Sequence, residues 1–129
     1  MRVLALRFLG LRTESFVQTA MLLRDVMNMP VTRQREDPMG FRLEDGTTVE
    51  LYGPDEEFHA FFEKGPVVGF VVDDFDAARA AMLEARVQFI GPPQHENGTS
   101  WNHFYAPDGT IFEIIGPGAA LNEQGEYRA

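Results

Sequence analysis

The chain has 129 residues, 20 acidic against 11 basic for a net charge of −9, and no cysteine. Such a length suits one compact domain with a real core, and the acidic balance argues against nucleic acid, which demands a basic footprint. Without cysteine there is no disulfide framework, no thiolate metal site and no cysteine nucleophile.

Residues 2–11 alternate well enough for a strand, with Val3, Leu4, Leu6, Phe8 and Leu9 as apolar bulk. Arg2 and Arg7 make this segment too charged and too short for a membrane span, and no cleavage pattern follows it, so a soluble, cytoplasmic protein is expected, with no membrane partner. Thr13 is the expected N-cap of a helix through about Asn28, with Phe16, Val17, Ala20, Met21 and Leu23 in its apolar stripe and Pro30 as its stop. A short polar strand is expected over 31–36. Residues 39–44 and 47–52 then pair across Asp45-Gly46, read as a two-residue turn.

The second half repeats this order. Residues 66–72 form a strand without a polar side chain, and Asp73 or Asp74 caps a helix through about Ala85 with Phe75, Ala78, Met82 and Leu83 inward. Val87 to Ile90 reads as a strand and Gly91 to Gly98 as a loop. A hairpin over 100–106 and 110–115 turns around Pro107-Asp108-Gly109. The halves are expected to span 2–54 and 66–117, joined by a connector over 55–65 and followed by a loose polar tail over 118–129.

The repetition is explicit in sequence. Residues 41–54 read F-R-L-E-D-G-T-T-V-E-L-Y-G-P and residues 104–117 read F-Y-A-P-D-G-T-I-F-E-I-I-G-P. Seven positions are identical: Phe41/Phe104, Asp45/Asp108, Gly46/Gly109, Thr47/Thr110, Glu50/Glu113, Gly53/Gly116 and Pro54/Pro117. Ordinary composition gives roughly one match in such a window. An internal repeat dictates architecture: two tandem βαβββ modules, an α+β fold whose mixed sheet forms an incompletely closed cup with its helices outside.

This order, together with F-V-V-D-D-F-D-A-A-R-A and P-D-G-T-I-F-E-I, resembles the vicinal oxygen chelate superfamily, which includes glyoxalase I, extradiol dioxygenases and bleomycin-resistance proteins. The resemblance covers residues 2–117. It implies that in metal-using members the first strand of each module supplies a His or Gln and the last strand a Glu. Glu50 and Glu113 match the glutamate positions, but the first-strand positions fall near Leu6 and Val67, which cannot bind a metal. A transition-metal site normally uses three or four protein ligands. No cofactor is therefore expected, a divalent ion being the alternative.

Two carboxylates in an apolar cup need compensation by a metal, a cationic ligand, an internal Arg or Lys, or water. Arg7 is the candidate internal partner. If residues 106–109 form the second turn, Glu113 lies opposite Asn102, and Asn102 and Phe104 share its face while Trp101, His103 and Tyr105 point away. His59 and His95 read as plain loop residues. Trp101, beside a loop over 92–99, is placed at an entrance. The expected ligand-binding set is Glu50, Glu113, Phe41, Phe104, Trp101, Asn102 and His103, with no metal ligands and Glu113 as the best catalytic candidate. Function is read as metal-independent binding of an aromatic or cationic small molecule, in the manner of bleomycin-resistance proteins. The alternative is a metal-dependent or Glu-base enzyme of the glyoxalase, lyase or dioxygenase type. The resemblance also implies a homodimer.

Overall fold

The computed structural model describes residues 1–33, 37–63 and 65–127. The elements are β1 (Val3–Arg12), α1 (Phe16–Met21), β2 (Val31–Arg33), β3 (Met39–Arg42), β4 (Thr48–Tyr52), β5 (Val67–Val72), α2 (Phe75–Glu84), β6 (Phe89–Glu96), β7 (Thr99–Tyr105) and β8 (Ile111–Pro117). This is an α+β fold in which βαβββ occurs twice. The chain divides into two compact units, Arg7–Val68 and Gly69–Ala129, the latter together with Met1–Leu6. Among the described residues no helix is long and apolar enough to cross a membrane.

In the N-terminal unit the strands run β2-β3-β4-β1, with β1 parallel to β4 and the other pairs antiparallel. Side chains alternate across a strand, so one face carries Met39, Phe41, Val49 and Leu51 into a core with Ala20, against which Leu9, Leu11, Phe16 and Leu23 pack. Phe41 and Leu51 are wholly buried, each contributing about 1.5–3 kcal/mol relative to exposure. α1 starts later than the sequence suggests. Ser15 is its N-cap, and the Thr13 hydroxyl instead accepts from the Ser15 amide at 3.0 Å. Phe16, Ala20 and Leu23 follow the i, i+4, i+7 stripe inward, whereas Val17 and Met21, one step around the helix, are exposed. Past Met21 the helix widens into a π turn over Leu22–Val26, and Asn28 at φ 55° ends it before Pro30. Of the polar strand expected over 31–36, Val31–Arg33 is present and 34–36 lie outside the described residues.

The C-terminal unit orders its strands β5-β8-β7-β6. Asp74 caps α2 by accepting from the Ala77 amide at 3.1 Å. Val72, Phe75, Ala78, Met82 and Ile114 form the core, with Phe89 and Phe104 against it.

Both repeat hairpins close the same way, and in each the turn is a residue longer than an Asp-Gly pair alone. Leu43 donates to the Thr47 carbonyl at 2.9 Å, and Ala106 to the Thr110 carbonyl at 2.8 Å. Three residues are thus looped out, ending on Gly46 at φ 86° and Gly109 at φ 88°, a left-handed position glycine occupies without a Cβ penalty. Each Asp side chain accepts from the following Thr amide, Asp45 from Thr47 at 2.9 Å and Asp108 from Thr110 at 3.0 Å. Hydrogen bonds from the Thr47 side chain and then its amide to Asp45, and from the Thr110 amide and then its side chain to Asp108, hold both exposed carboxyls below the ordinary aspartate range.

Two segments depart from the expected secondary structure. The segment read as a loop over 91–98 is largely strand: β6 continues past a bulge between Ile90 and Gln94, and Asn97-Gly98, both at positive φ, turn it directly into β7. Nor is the tail loose as far as Tyr127, residues 128–129 lying outside the described residues. Asp76 on α2 accepts from the amides of Ala119 (2.7 Å) and Leu121 (2.8 Å), Ala120 is fully buried, and Asn122 closes a turn onto Gln124 and Glu126.

Candidate functional site

Glu50 lies on β4 with a glycine beside it on each neighbouring strand, Gly10 on β1 and Gly40 on β3. Their missing side chains matter. A Cβ on Gly40 would crowd Thr32 Oγ1 at 3.3 Å and Arg33 Cβ at 3.4 Å, and one on Gly10 would sit 2.7 Å from the Phe62 ring. Arg33 therefore crosses Gly40 and places Nη2 2.8 Å from Glu50 Oε1, while the Tyr52 hydroxyl donates to Oε2 at 3.0 Å. The Tyr52 ring stacks on His59 at 3.9 Å and 13°, and His59 Nδ1 lies 2.9 Å from Glu56 Oε2. Phe62 meets the Tyr52 ring edge-on at 5.7 Å. The connector thus folds back onto the Glu50 face as an aromatic cluster, and His59 is part of it rather than a plain loop residue.

Arg7 is not the partner of Glu50. Adjacent residues of β1 point to opposite faces, and the Arg7 guanidinium goes to Asp45, bonding its carbonyl and approaching its carboxylate at 3.8 Å. Arg33 and Tyr52 were both missed. Tyr52 was legible as the residue two beyond Glu50 on the same face; Arg33 required knowing that glycine occupies the place across from Glu50.

In the C-terminal unit the register overturns the expected facing. Ala106 and Thr110 close the loop, so Tyr105 pairs with Ile111 and His103, not Asn102, lies opposite Glu113. A shift of one residue moves every side chain to the other face. His103 and Trp101 consequently share the Glu113 face, with His103 Nε2 2.9 Å from Glu113 Oε2 and the two side chains 10% and 5% exposed. Asn102 and Phe104 face α2 instead. Asn102 accepts from Arg79 Nε at 2.9 Å and donates to the carbonyls of Ile90 and Gly91, while Phe104 meets Phe89 at 5.9 Å. The guanidinium of Arg79 lies 5.0 Å over the Phe89 ring. Phe41 likewise belongs to the core against α1, on the face away from Glu50. Of the expected set, Trp101, His103 and Glu113 share one face in this unit, and Glu50 lies in the other unit with partners of its own. His95 sits on β6, its Nδ1 2.9 Å from Ser100 Oγ.

No sequence-family profile matches the chain, and no curated protein does. Solved structures do. Methylmalonyl-CoA epimerase from Mycobacterium tuberculosis is similar at 15% identity over 89% of each chain, with a TM-score of 0.68. A Streptomyces coelicolor methylmalonyl-CoA epimerase in complex with 2-nitronate-propionyl-CoA is 15% identical over 94% of this chain and 99% of that one, with a TM-score of 0.64. A glyoxalase/bleomycin resistance protein/dioxygenase superfamily member from Vibrio splendidus 12B01 is 19% identical over 87% and 99%, with a TM-score of 0.62. The chain thus has the vicinal oxygen chelate fold, and a fold hosts many chemistries.

Proposed function

We propose that this protein is a metal-independent small-molecule-binding protein on the vicinal oxygen chelate scaffold, holding an aromatic ligand without transforming it. One observation carries the reading. Each glutamate at a family ligand position is answered by a protein group within its own unit: Arg33 and Tyr52 at Glu50, His103 at Glu113. A guanidinium 2.8 Å from a carboxylate oxygen opposes a second cation there. Among the described residues no three His, Asp or Glu side chains group to hold an ion. This donor set does not fit a resident divalent metal. Elemental analysis of the purified protein is expected to find no stoichiometric Ni, Zn, Mn or Fe. One tightly bound ion per chain, lost on Glu113→Ala, would reverse the reading.

The buried His103–Glu113 pair supports a second reading, proton transfer by an enzyme. A carboxylate that orients a histidine is a common acid–base arrangement, and two of the similar structures are named as epimerases. Turnover in a screen of acyl thioesters, with a pH–rate profile altered by Glu113→Gln, would favour it; no turnover keeps the first. Assembly as a homodimer is part of the proposal, and sedimentation velocity tests it.

A further inference from the structure

The helix of the N-terminal unit is apolar on both sides. Phe16, Ala20 and Leu23 turn into the core, yet Val17, Met21, Leu22, Val26 and Met27 are exposed, Val17 at 64%, Met21 at 50% and Val26 at 70%. A surface helix normally turns polar residues outward. The π turn aligns these outward side chains. Val17 and Met21 are one ordinary turn apart within α1. Met21 and Val26 are five residues apart, which is one turn where the winding runs i to i+5, as the Met27 amide shows by donating to the Leu22 carbonyl at 2.9 Å. In an unbroken α-helix Asp25 would stand in place of Val26. The outcome is a straight row, Val17–Met21–Val26, flanked by Leu22 and Met27. The charged residues of this helix, Arg24 and Asp25, bond each other at 2.7 and 2.9 Å, which leaves it neutral on a chain of net charge −9. Five apolar side chains about half exposed or more make a patch of the few hundred Å² that marks a contact surface.

From this we infer that α1 and its π turn form the contact between two copies of this chain, helix against helix in opposite directions about a two-fold axis at Met21. The row Val17–Met21–Val26 reads alike from either end. A two-fold axis through its centre therefore sets Met21 against its own copy and Val17 of one chain against Val26 of the other, as an isologous interface requires. Net negative charge makes two copies repel over most approaches, and a neutral helix is where they can meet. The flexible side chain of Met21 adapts to an identical neighbour. The patch supplies the apolar centre, and exposed polar residues around it such as Gln18 and Asn28 belong to the rim that completes the roughly 800 Å² per partner of a stable dimer. The inference rests on the homodimer reading and gives it a surface; ligand binding does not depend on it.

The test is sedimentation velocity of the full chain over a concentration series, where wild type is expected to show a monomer–dimer equilibrium. Met21→Glu sets two carboxylates against each other at the axis and should raise the dissociation constant at least about a hundredfold. Val17→Lys and Val26→Glu should each weaken the dimer, and the double variant should regain it, because the axis pairs each introduced ammonium with the other chain's introduced carboxylate. Circular dichroism of each variant should match wild type. Should a charge variant fail to fold, Met21→Cys carries the comparison. The chain has no cysteine of its own, so oxidised glutathione should link two copies through that one thiol, and should link Glu44→Cys, exposed on the first hairpin, far less. A dimer unmoved by Met21→Glu and by both single variants overturns the inference and leaves homodimeric assembly standing. A wild-type chain that stays monomeric throughout removes both; if it then binds phosphatidylcholine vesicles and Met21→Glu abolishes this, a lipid surface is the occupant instead.

Discussion

The two repeat hairpins share their turn, their register and their glutamate, but each glutamate is balanced by a different kind of group. In the C-terminal unit the residue directly across from the glutamate, His103, supplies the partner, and both side chains are nearly sealed from water. In the N-terminal unit the corresponding residue is Gly40, and an arginine one strand further out reaches over it, its side chain 46% exposed. The backbone device was kept while the electrostatic answer diverged. A buried pair with few alternatives and a semi-exposed pair backed by a tyrosine should respond very differently to damage.

The largest effect expected is at His103. His103→Leu strands the Glu113 carboxylate in a sealed site and should cost roughly 3–5 kcal/mol, read as a drop in denaturant midpoint; the double variant with Glu113→Leu should recover much of it. Next come the paired repeat glycines. A Cβ on Gly116 would lie 2.5 Å from the Val72 carbonyl oxygen, a backbone atom, whereas one on Gly53 would meet the Asp37 carboxylate at 2.6 Å, a side chain able to swing away. Gly116→Ala should lose about 1–3 kcal/mol and Gly53→Ala visibly less. Arg33→Ala removes an exposed partner and should cost only about 0.2–1 kcal/mol. A loss matching that of His103→Leu would break the comparison. The smallest effect belongs to the turns. Because Asp45 and Asp108 are held below the ordinary value of 3.8 in the folded state, their contribution is present above that value and lost as pH falls through the lower folded pKa. Asp45→Ala and Asp108→Ala should therefore lower stability slightly at neutral pH and flatten the acid limb of a pH–stability curve by similar amounts, since their bonds are alike.

Much of the fold was legible because hydrophobic period and turn chemistry agree along the chain. The repeat announced two βαβββ units, and the Asp-Gly-Thr segments announced the hairpins. What escaped was the length of the loop: counting a two-residue turn at Asp45-Gly46, or a four-residue one at 106–109, misplaces the register by one and turns His103 away from Glu113. The Asn97-Gly98 dipeptide was a strong hairpin signal hidden by Pro92 and Pro93, which the bulge in β6 accommodates. Arg33 was beyond reach because its contact crosses an absent side chain, and periodicity does not register an absence.

Asp76 lies in the first turn of α2 and also holds the Ala119 and Leu121 amides. One carboxylate thus fastens the final segment to a helix start, through two bonds near the surface rather than through a sheet ladder. Deuterium should enter those two amides together, well ahead of the strands, as a small cooperative opening. Asp76→Asn, offering one acceptor in place of two, should speed their exchange while leaving that of β7 and β8 untouched.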